Sequence, residues 1–264
     1  MYVIVTAGGD VTPQQPLYQA ARGGRKAMMD VAGRPMVQWV IDALGSAAAV
    51  HHIIVVGLPL ETDLVCAVPL TLLPDTGSML SNIRAGAIEA LRQDPDASHA
   101  IFCAGDLPAL RTEAVDWLIC QVGDLSQDLY FTLVERSVME AQFPRAQFQY
   151  TRLKDLQVRS GQLHCFRLKA ALEETPLWKR LVESRKASLR QASILGYDTM
   201  LFLMLRQLSL KDAEAAVCKR LSVKGKALVC PYPEAGLDID RPAQLEIVRE
   251  HLIRRSDHHA ANVG

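Results

Sequence analysis

Residues 1–10 read MYVIVTAGGD, and the reading of this stretch decides the fold. The apolar, β-branched run Tyr2–Thr6 is closed at once by Ala7-Gly8-Gly9. Its length and composition are those of a buried strand rather than a helix. Glycines directly after a strand let backbone N–H groups approach phosphate oxygens without obstruction by a Cβ. The same segment therefore predicts a core strand and an anion-binding turn together. A plain strand-to-helix turn also favours glycine, so the pair says little alone. It matches neither G-x-G-x-x-G nor the P-loop G-x-x-x-x-G-K-[ST], which counts against dinucleotide binding and P-loop hydrolysis.

Outward from this strand the chain alternates. Pro35 opens a helix whose Met36, Val37, Val40, Ile41 and Leu44 recur at helical spacing, with Gly45 as a stop. Ile53–Val56 reads as a second strand, and about 79–91 as a helix with Ile83, Ala87 and Leu91 on one face. Ala100–Ala104 is a third strand, closed by Gly105-Asp106. Thr112 then caps a helix bearing Val115, Leu118 and Ile119, and Tyr130–Val134 is a further strand. Buried runs alternating with helices predict an α/β fold with a mostly parallel, twisted sheet and helices on both faces. Such sheets bind ligands at the carboxyl ends of their strands, where Gly8, Gly9 and Asp106 fall.

The middle changes character. Strand-like pieces near Gln147–Leu153 and Gln162–Leu168 precede helical segments at about 176–186, 198–206 and 211–222. Ala227–Cys230, a Pro-rich turn, GLDID and a helix from Pro242 to about Leu252 complete the chain, with a polar end expected to fray. The expected division is a core of 1–136 and 226–254, a mainly helical insertion or acceptor subdomain at 137–225, and a flexible tail at 255–264.

Composition narrows the partners. Lys+Arg and Asp+Glu both number 29, so no basic footprint argues for nucleic acid, and an anionic ligand must be held by local groups. No signal peptide is read at the N-terminus. The run MLFLML at 200–205 is too short to span a membrane and suits buried core or a homo-oligomer contact. The six cysteines form no C-x-x-C pair, which disfavours structural zinc and fits a reduced, cytoplasmic protein.

Three stretches carry a resemblance. Ala7-Gly8-Gly9, then Lys26-Ala-Met-Met, then Gly33-Arg34-Pro35-Met36 before an amphipathic helix resemble the nucleotidyltransferase superfamily of the molybdenum-cofactor guanylyltransferases (MobA-like NTP transferases) and sugar-nucleotide pyrophosphorylases. FCAGDLPAL at 102–110 is similar to the family's strand ending in Asp, and GLDIDRPAQL at 236–245 to its late D-x-D element. PDTGSMLSNIRAGAIEAL at 74–91 resembles the helix whose first turn lies near the base and ribose. The resemblance implies a Rossmann-like core of GT-A type. It also implies Mg²⁺ on Asp106 and on either Asp238 or Asp240, with Asp240 slightly favoured, and Lys26 on the phosphates. Ala7, Gly8, Gly9, Arg25, Ser78, Ser81 and Asn82 would hold the nucleotide. Arg22 competes with Arg25 for the loop's arginine, and the loop between Gly9 and Lys26 is longer than the compact family version. Asp30 stands where a neutral residue is commoner. Arg185 and Lys186 are candidates for the acceptor phosphate, although a charge pair at a helix C-terminus is their commoner use.

The implied reaction passes an NMP from an NTP to a phosphorylated or hydroxylated small acceptor, releasing pyrophosphate. Two polyanions must meet, so charge neutralisation and positioning dominate and no nucleophilic side chain is needed. A nucleotide-sugar-dependent glycosyltransferase is the alternative enzyme, but it calls for D-x-D on a central strand, where this chain has Gly105-Asp106-Leu107. A non-catalytic nucleotide-binding protein is the third reading, and the presence of both Lys26 and Asp106 argues against it. Asp106 could also merely shape a turn, and Asp238 or Asp240 merely cap a helix.

Overall fold

The computed structural model describes residues 1–21, 24–172 and 208–263. Strand β1 is Tyr2–Thr6, as its apolar run predicts. A packed loop and a 3-10 turn at Lys26–Met28 lead to the hairpin β2 (Asp30–Val31) and β3 (Arg34–Pro35). Its two-residue turn, Ala32-Gly33, has φ of 52° and 83°, as a tight hairpin requires. Asp30, unusual by the family pattern, accepts the Gly33 N–H at 3.3 Å and so braces this turn.

Helix α1 (Met36–Gly45), strands β4 (His52–Val56) and β5 (Leu70–Leu73), helix α2 (Met79–Gln93), strand β6 (His99–Ala104) and helix α3 (Thr112–Val122) follow. Strand β5 was not evident in the sequence, because its four residues lie between prolines. Thr112 does not cap α3. It is the first helical residue, and its hydroxyl donates to the Ala43 carbonyl of α1 at 3.1 Å, tying the two helices together.

Strand β7 (Leu129–Glu135), helix α4 (Arg136–Gln142), strands β8 (Thr151–Arg152), β9 (Gln157–Ser160) and β10 (Leu163–Arg167) and helix α5 (Leu168–Leu172) come next. Helix α6 (Leu210–Leu221), strand β11 (Gly225–Cys230) and helix α7 (Pro242–Val263) end the fold.

The nine-stranded sheet has the order β5-β4-β1-β6-β10-β7-β9-β8, with β11 also paired to β7. Strands β5, β4, β1 and β6 are mutually parallel, as are β7 and β11, while β10 and β9 run against their neighbours. The α/β expectation holds, with a mixed sheet. Alternate side chains divide the core between two faces. Val3, Val5, Ile53, Val55 and Ile101 pack under α1 and α3. Tyr2, Ile4, Ile54, Val56 and Phe102 pack against Ala87 and Ala90 of α2. Each fully buried aliphatic side chain contributes roughly 1.5–3 kcal/mol, so these two faces anchor the sheet that carries the site.

Two boundaries need correcting. Residues 137–225 are not set apart as an insertion where they are described: β10 is wedged between β6 and β7, and β9 pairs with β7. The apolar residues Leu163 and Cys165 are spent on the main core, not on a separate one. Helix α7 also continues to Val263, past the expected end near Leu252, because no Gly or Pro interrupts it. The expected helices at 176–186 and 198–206, the MLFLML run, Arg22, Arg185 and Lys186 lie outside the described residues. No helix among the described residues is long and apolar enough to cross a membrane.

Candidate functional site

Strands β1, β4 and β6 end at one edge of the sheet, and the chain leaves β1 with neighbours on both sides. At such a reversal of strand order, connections diverge and open a crevice. Thr6 ends β1 and Ala104 ends β6 in register, and the Gly105 N–H donates to the Thr6 carbonyl at 2.9 Å. The turn after β1 is thereby set beside Gly105-Asp106.

The crevice is lined by close backbone approaches. A Cβ on Gly8 would stand 2.7 Å from Asp75 Oδ2 and 2.8 Å from Asn82 Nδ2. A Cβ on Gly57 would lie 2.2 Å from the Gly8 nitrogen, and Gly57 has φ of 116°. Gly57 therefore excludes a side chain, whereas a Cβ on Gly8 would meet only the ends of two side chains. Arg25 donates to the Gly57 carbonyl and lies 3.7 Å from Asp10, so it also braces the loop.

Asp75 is a member of this cluster that sequence reasoning missed. Its carboxylate accepts the Gly9 N–H at 3.2 Å, the Gly77 N–H at 2.9 Å and Asn82 Nδ2 at 3.1 Å. The Gly77 amide, then Asn82, the Gly9 amide and Arg25, hold it below the usual carboxylate range against the opposing effect of burial. The Pro-Asp-Thr-Gly turn was its available signal. Asn82 is buried and accepts from the Thr76 N–H and hydroxyl at 2.8 and 2.7 Å. Ser78 is the N-cap of α2, accepting the Ser81 N–H at 3.1 Å, and the two hydroxyls lie 2.7 Å apart. Gly8, Gly9 and Asn82 are thus brought together, while Ser78 and Ser81 serve the helix end beside them.

Lys26 reaches across the crevice. Its Nζ donates to Asp106 Oδ2 at 2.6 Å and to Asp240 Oδ1 at 2.8 Å. Burial by itself draws the lysine pKa down, but the two carboxylates outweigh it and hold the ammonium protonated above its ordinary range. The other Asp106 oxygen, Oδ1, is buried with no hydrogen-bond partner among the described residues. Asp240 is held on its loop by Gln244, whose side chain accepts the Asp240 and Arg241 N–H groups at 2.7 and 2.8 Å. Gln244 therefore satisfies the start of α7, a task the sequence left to Asp238 or Asp240. The Ile239 N–H donates to the Asp106 carbonyl at 3.2 Å, which docks this loop on the β6 turn.

Asp238 turns the other way, toward Arg159 Nη2 at 2.7 Å. Burial first, then the charge of Asp106, push its carboxyl up to about 6, with Arg159 opposing. Arg159 carried no sequence signal, since its partner is distant in the chain.

Asp106 and Asp240 could hold a metal between them. The orphaned Asp106 oxygen and an all-oxygen donor set suit Mg²⁺, which takes one or two carboxylates and completes its shell with phosphates and water. No group of three or more His, Cys, Asp or Glu capable of enclosing a metal occurs among the described residues. The cysteines are free, and burial pushes the Cys165 and Cys230 thiols up to about 12, which makes them core residues rather than nucleophiles.

Comparison with known proteins bears on the family and the fold. A family model described as the MobA-like NTP transferase domain matches residues 4–139. A hypothetical transferase from Thermus thermophilus is 34% identical, with a TM-score of 0.79 over 92% of this chain and 98% of that one. CMP:2-keto-3-deoxy-manno-octonic acid synthetase complexed with CTP shares the fold at 16% identity, with a TM-score of 0.54 over 96% of this chain and 98% of its own. The 4-diphosphocytidyl-2C-methyl-D-erythritol synthase of Anaerococcus prevotii does so at 14% identity, with a TM-score of 0.55 over 95% of each chain. None of the curated proteins matches. With the Gly8-Gly9 turn, Lys26 and Asp106 gathered at one sheet edge, this chain belongs to the MobA-like NTP transferase family, whose members are nucleotidyltransferases.

Proposed function

We propose that this protein transfers an NMP from an NTP to a phosphorylated or hydroxylated small-molecule acceptor with Mg²⁺ as cofactor. The observation that carries the reading is the meeting of Lys26, Asp106 and Asp240 beside the Gly8-Gly9 turn. In the proposed reaction an acceptor oxygen forms a bond to the α-phosphorus while the bond to the β-phosphate oxygen breaks, and pyrophosphate leaves. Mg²⁺, held by Asp106 and Asp240, would neutralise charge on the transferred phosphate and the leaving group.

The remaining work falls to the chain's own groups. The turn after β1 presents backbone without side chains, so phosphates approach closely. Lys26, kept protonated, supplies a cation to the phosphates once they displace it from a carboxylate. Asp75 and Asn82 fix the shape of the turn. Catalysis of this kind is chiefly positioning and electrostatics.

The test is a thermal-shift panel of the common ribonucleoside triphosphates, with and without Mg²⁺, on wild type and Asp106→Ala. A ligand at 100 times its Kd stabilises the native state by about 2.7 kcal/mol. A Mg²⁺-dependent shift with one NTP, weakened in the variant, is expected. Absence of any NTP shift alongside clear shifts with a nucleotide sugar would overturn the reading.

A further inference from the structure

Arg159 lies on β9 and pairs with Asp238, two residues from Asp240 in the loop that docks on the β6 turn. Its side chain is only 13% exposed, yet among the described residues its guanidinium has a single hydrogen bond, from Nη2 to Asp238 Oδ1. Nε and Nη1 are both buried with no partner among the described residues. Guanidinium nitrogens are obligatory donors, and leaving charged donors buried and unpaired costs more than leaving a neutral group so. One carboxylate at 2.7 Å does not compensate such burial.

The cover over this group is an aromatic plate. Arg159 Cζ lies 3.5 Å from the ring centroid of Phe148, in the irregular segment between α4 and β8. Gln147, directly before it, has a φ of 48°, a conformation uncommon outside glycine. Phe148 is only half-buried, with Gln147 and Gln149 exposed on either side. Two residues on, Tyr150 has Arg136 Cζ 5.6 Å from its centroid, so a second guanidinium borders the same segment.

We propose that Arg159 is the binding residue for an anionic group of the acceptor, a phosphate or a carboxylate, and that Phe148 slides off the guanidinium to admit it. The inference rests on the nucleotidyl-transfer reading, because it is the proximity to Asp238 and Asp240 that assigns the anion to the acceptor. Nε and Nη1 then gain the acceptors they lack, in charge-assisted hydrogen bonds that a planar guanidinium makes well. On the proposed reading the nucleotide's phosphates are served separately, by the Gly8-Gly9 turn and by Lys26, which pairs with Asp106 and Asp240 rather than with Asp238. Arg159 thus separates acceptor from donor by position, one carboxylate away from the candidate metal ligands.

The test uses Phe148→Trp as a reporter, titrated with inorganic phosphate and, separately, with acetate, without nucleotide. Displacement of the indole from the guanidinium should change its fluorescence saturably. Adding Arg159→Gln should weaken the apparent phosphate affinity at least tenfold, and Arg159→Lys should weaken it less. A Lys26→Ala control in the reporter background should leave the fluorescence titration unchanged. Should Arg159→Gln fail to fold by circular dichroism, Arg159→Lys carries the comparison, since it keeps the ion pair to Asp238 and loses the planar fork. Unchanged affinity in the folded Arg159 variants, or loss of the signal through Lys26→Ala instead, overturns the proposal. NTP thermal shifts measured on the wild type and the Arg159 variants distinguish the failures. A normal Mg²⁺-dependent NTP shift with no Arg159-dependent anion binding sinks this inference alone, whereas absent NTP shifts sink the reaction assignment.

Discussion

Lys26 Nζ stands 2.6 Å from Asp106 Oδ2, two side chains 80 positions apart in the chain that meet where a bound cation would be expected. The ammonium also touches Asp240, so it neutralises the two carboxylates proposed as metal ligands. Lysine and a divalent cation are then competitors for the same oxygens. Lys26→Met is expected to bind Mg²⁺ roughly tenfold more tightly in the absence of nucleotide, equivalent to about 1.4 kcal/mol. It should also lower thermal stability without metal by about 1 kcal/mol, since the part-buried Asp106 loses its partner. Calorimetric titration of Mg²⁺ checks the first point, and an affinity equal to wild type would remove the competition from the account.

Gly57 and Gly8 separate a structural demand from a functional one. Gly57→Ala would drive a Cβ into the Gly8 backbone at a positive φ, where neither neighbour can yield. A loss of about 2 kcal/mol or more is expected in urea unfolding, as for strained and overpacked substitutions generally. Gly8→Ala meets only the ends of the Asp75 and Asn82 side chains, which can rotate away. It should stay folded and lose NTP affinity, because those same ends shape the turn. Equal stability losses in the two variants would contradict this distinction.

Ser78 and Asn82, both nucleotide candidates from sequence, are expected to behave differently. Ser78→Ala removes the cap of α2 and should cost about 1 kcal/mol with little change in NTP affinity. Asn82→Ala frees Asp75 and Thr76 together and should weaken NTP binding more than it lowers the melting temperature. Thermal shifts with and without nucleotide on both variants read the two effects apart.

Acid stability follows from buried imidazoles. Burial holds His99, His52 and His251 below the ordinary value of 6.5. His99 Nε2 is also bonded to the Gln127 carbonyl at 2.8 Å, and His251 Nε2 is buried without a partner. The unfolded chain then binds more protons than the native one below pH 6.5, so stability falls as pH drops through 6.5 toward the native values. A second loss begins at lower pH, where the unfolded chain protonates Asp75 and Asp128 while the native state, which holds both depressed, does not yet do so. Melting temperature should decline from pH 7 to pH 5, and His99→Gln should make the decline shallower. A flat profile over that range would count against the burial argument.

Much of the fold was legible because its signals are local. Strands such as Tyr2–Thr6 and His99–Ala104 are continuous apolar runs, and α1 and α2 announce themselves by their 3.6-residue period. Lys26, Asp106 and the glycines were legible through their order along the chain and the residue types around them. The β10 segment was read as strand-like yet assigned to an insertion, because nothing in its own residues says that it enters the sheet between β6 and β7, and β9 falls in what was read as a polar turn. Pairing across that distance is a property of the packed sheet.

What the chain determined by itself was therefore its elements, the turn that can cradle an anion, and the acidic and basic residues available for phosphate chemistry. The tertiary structure decided which of them meet. Asp240 faces Lys26 while Asp238, two residues away, faces Arg159, and neighbouring positions of one loop point to opposite partners. Asp75 joined the site only through its reach to Gly9, and Arg159 only through burial against Phe148 and Asp238. The physical reason is common to all of these. Electrostatic pairing and close backbone approach depend on distances of a few ångströms between residues remote in sequence, and only the folded sheet edge sets those distances.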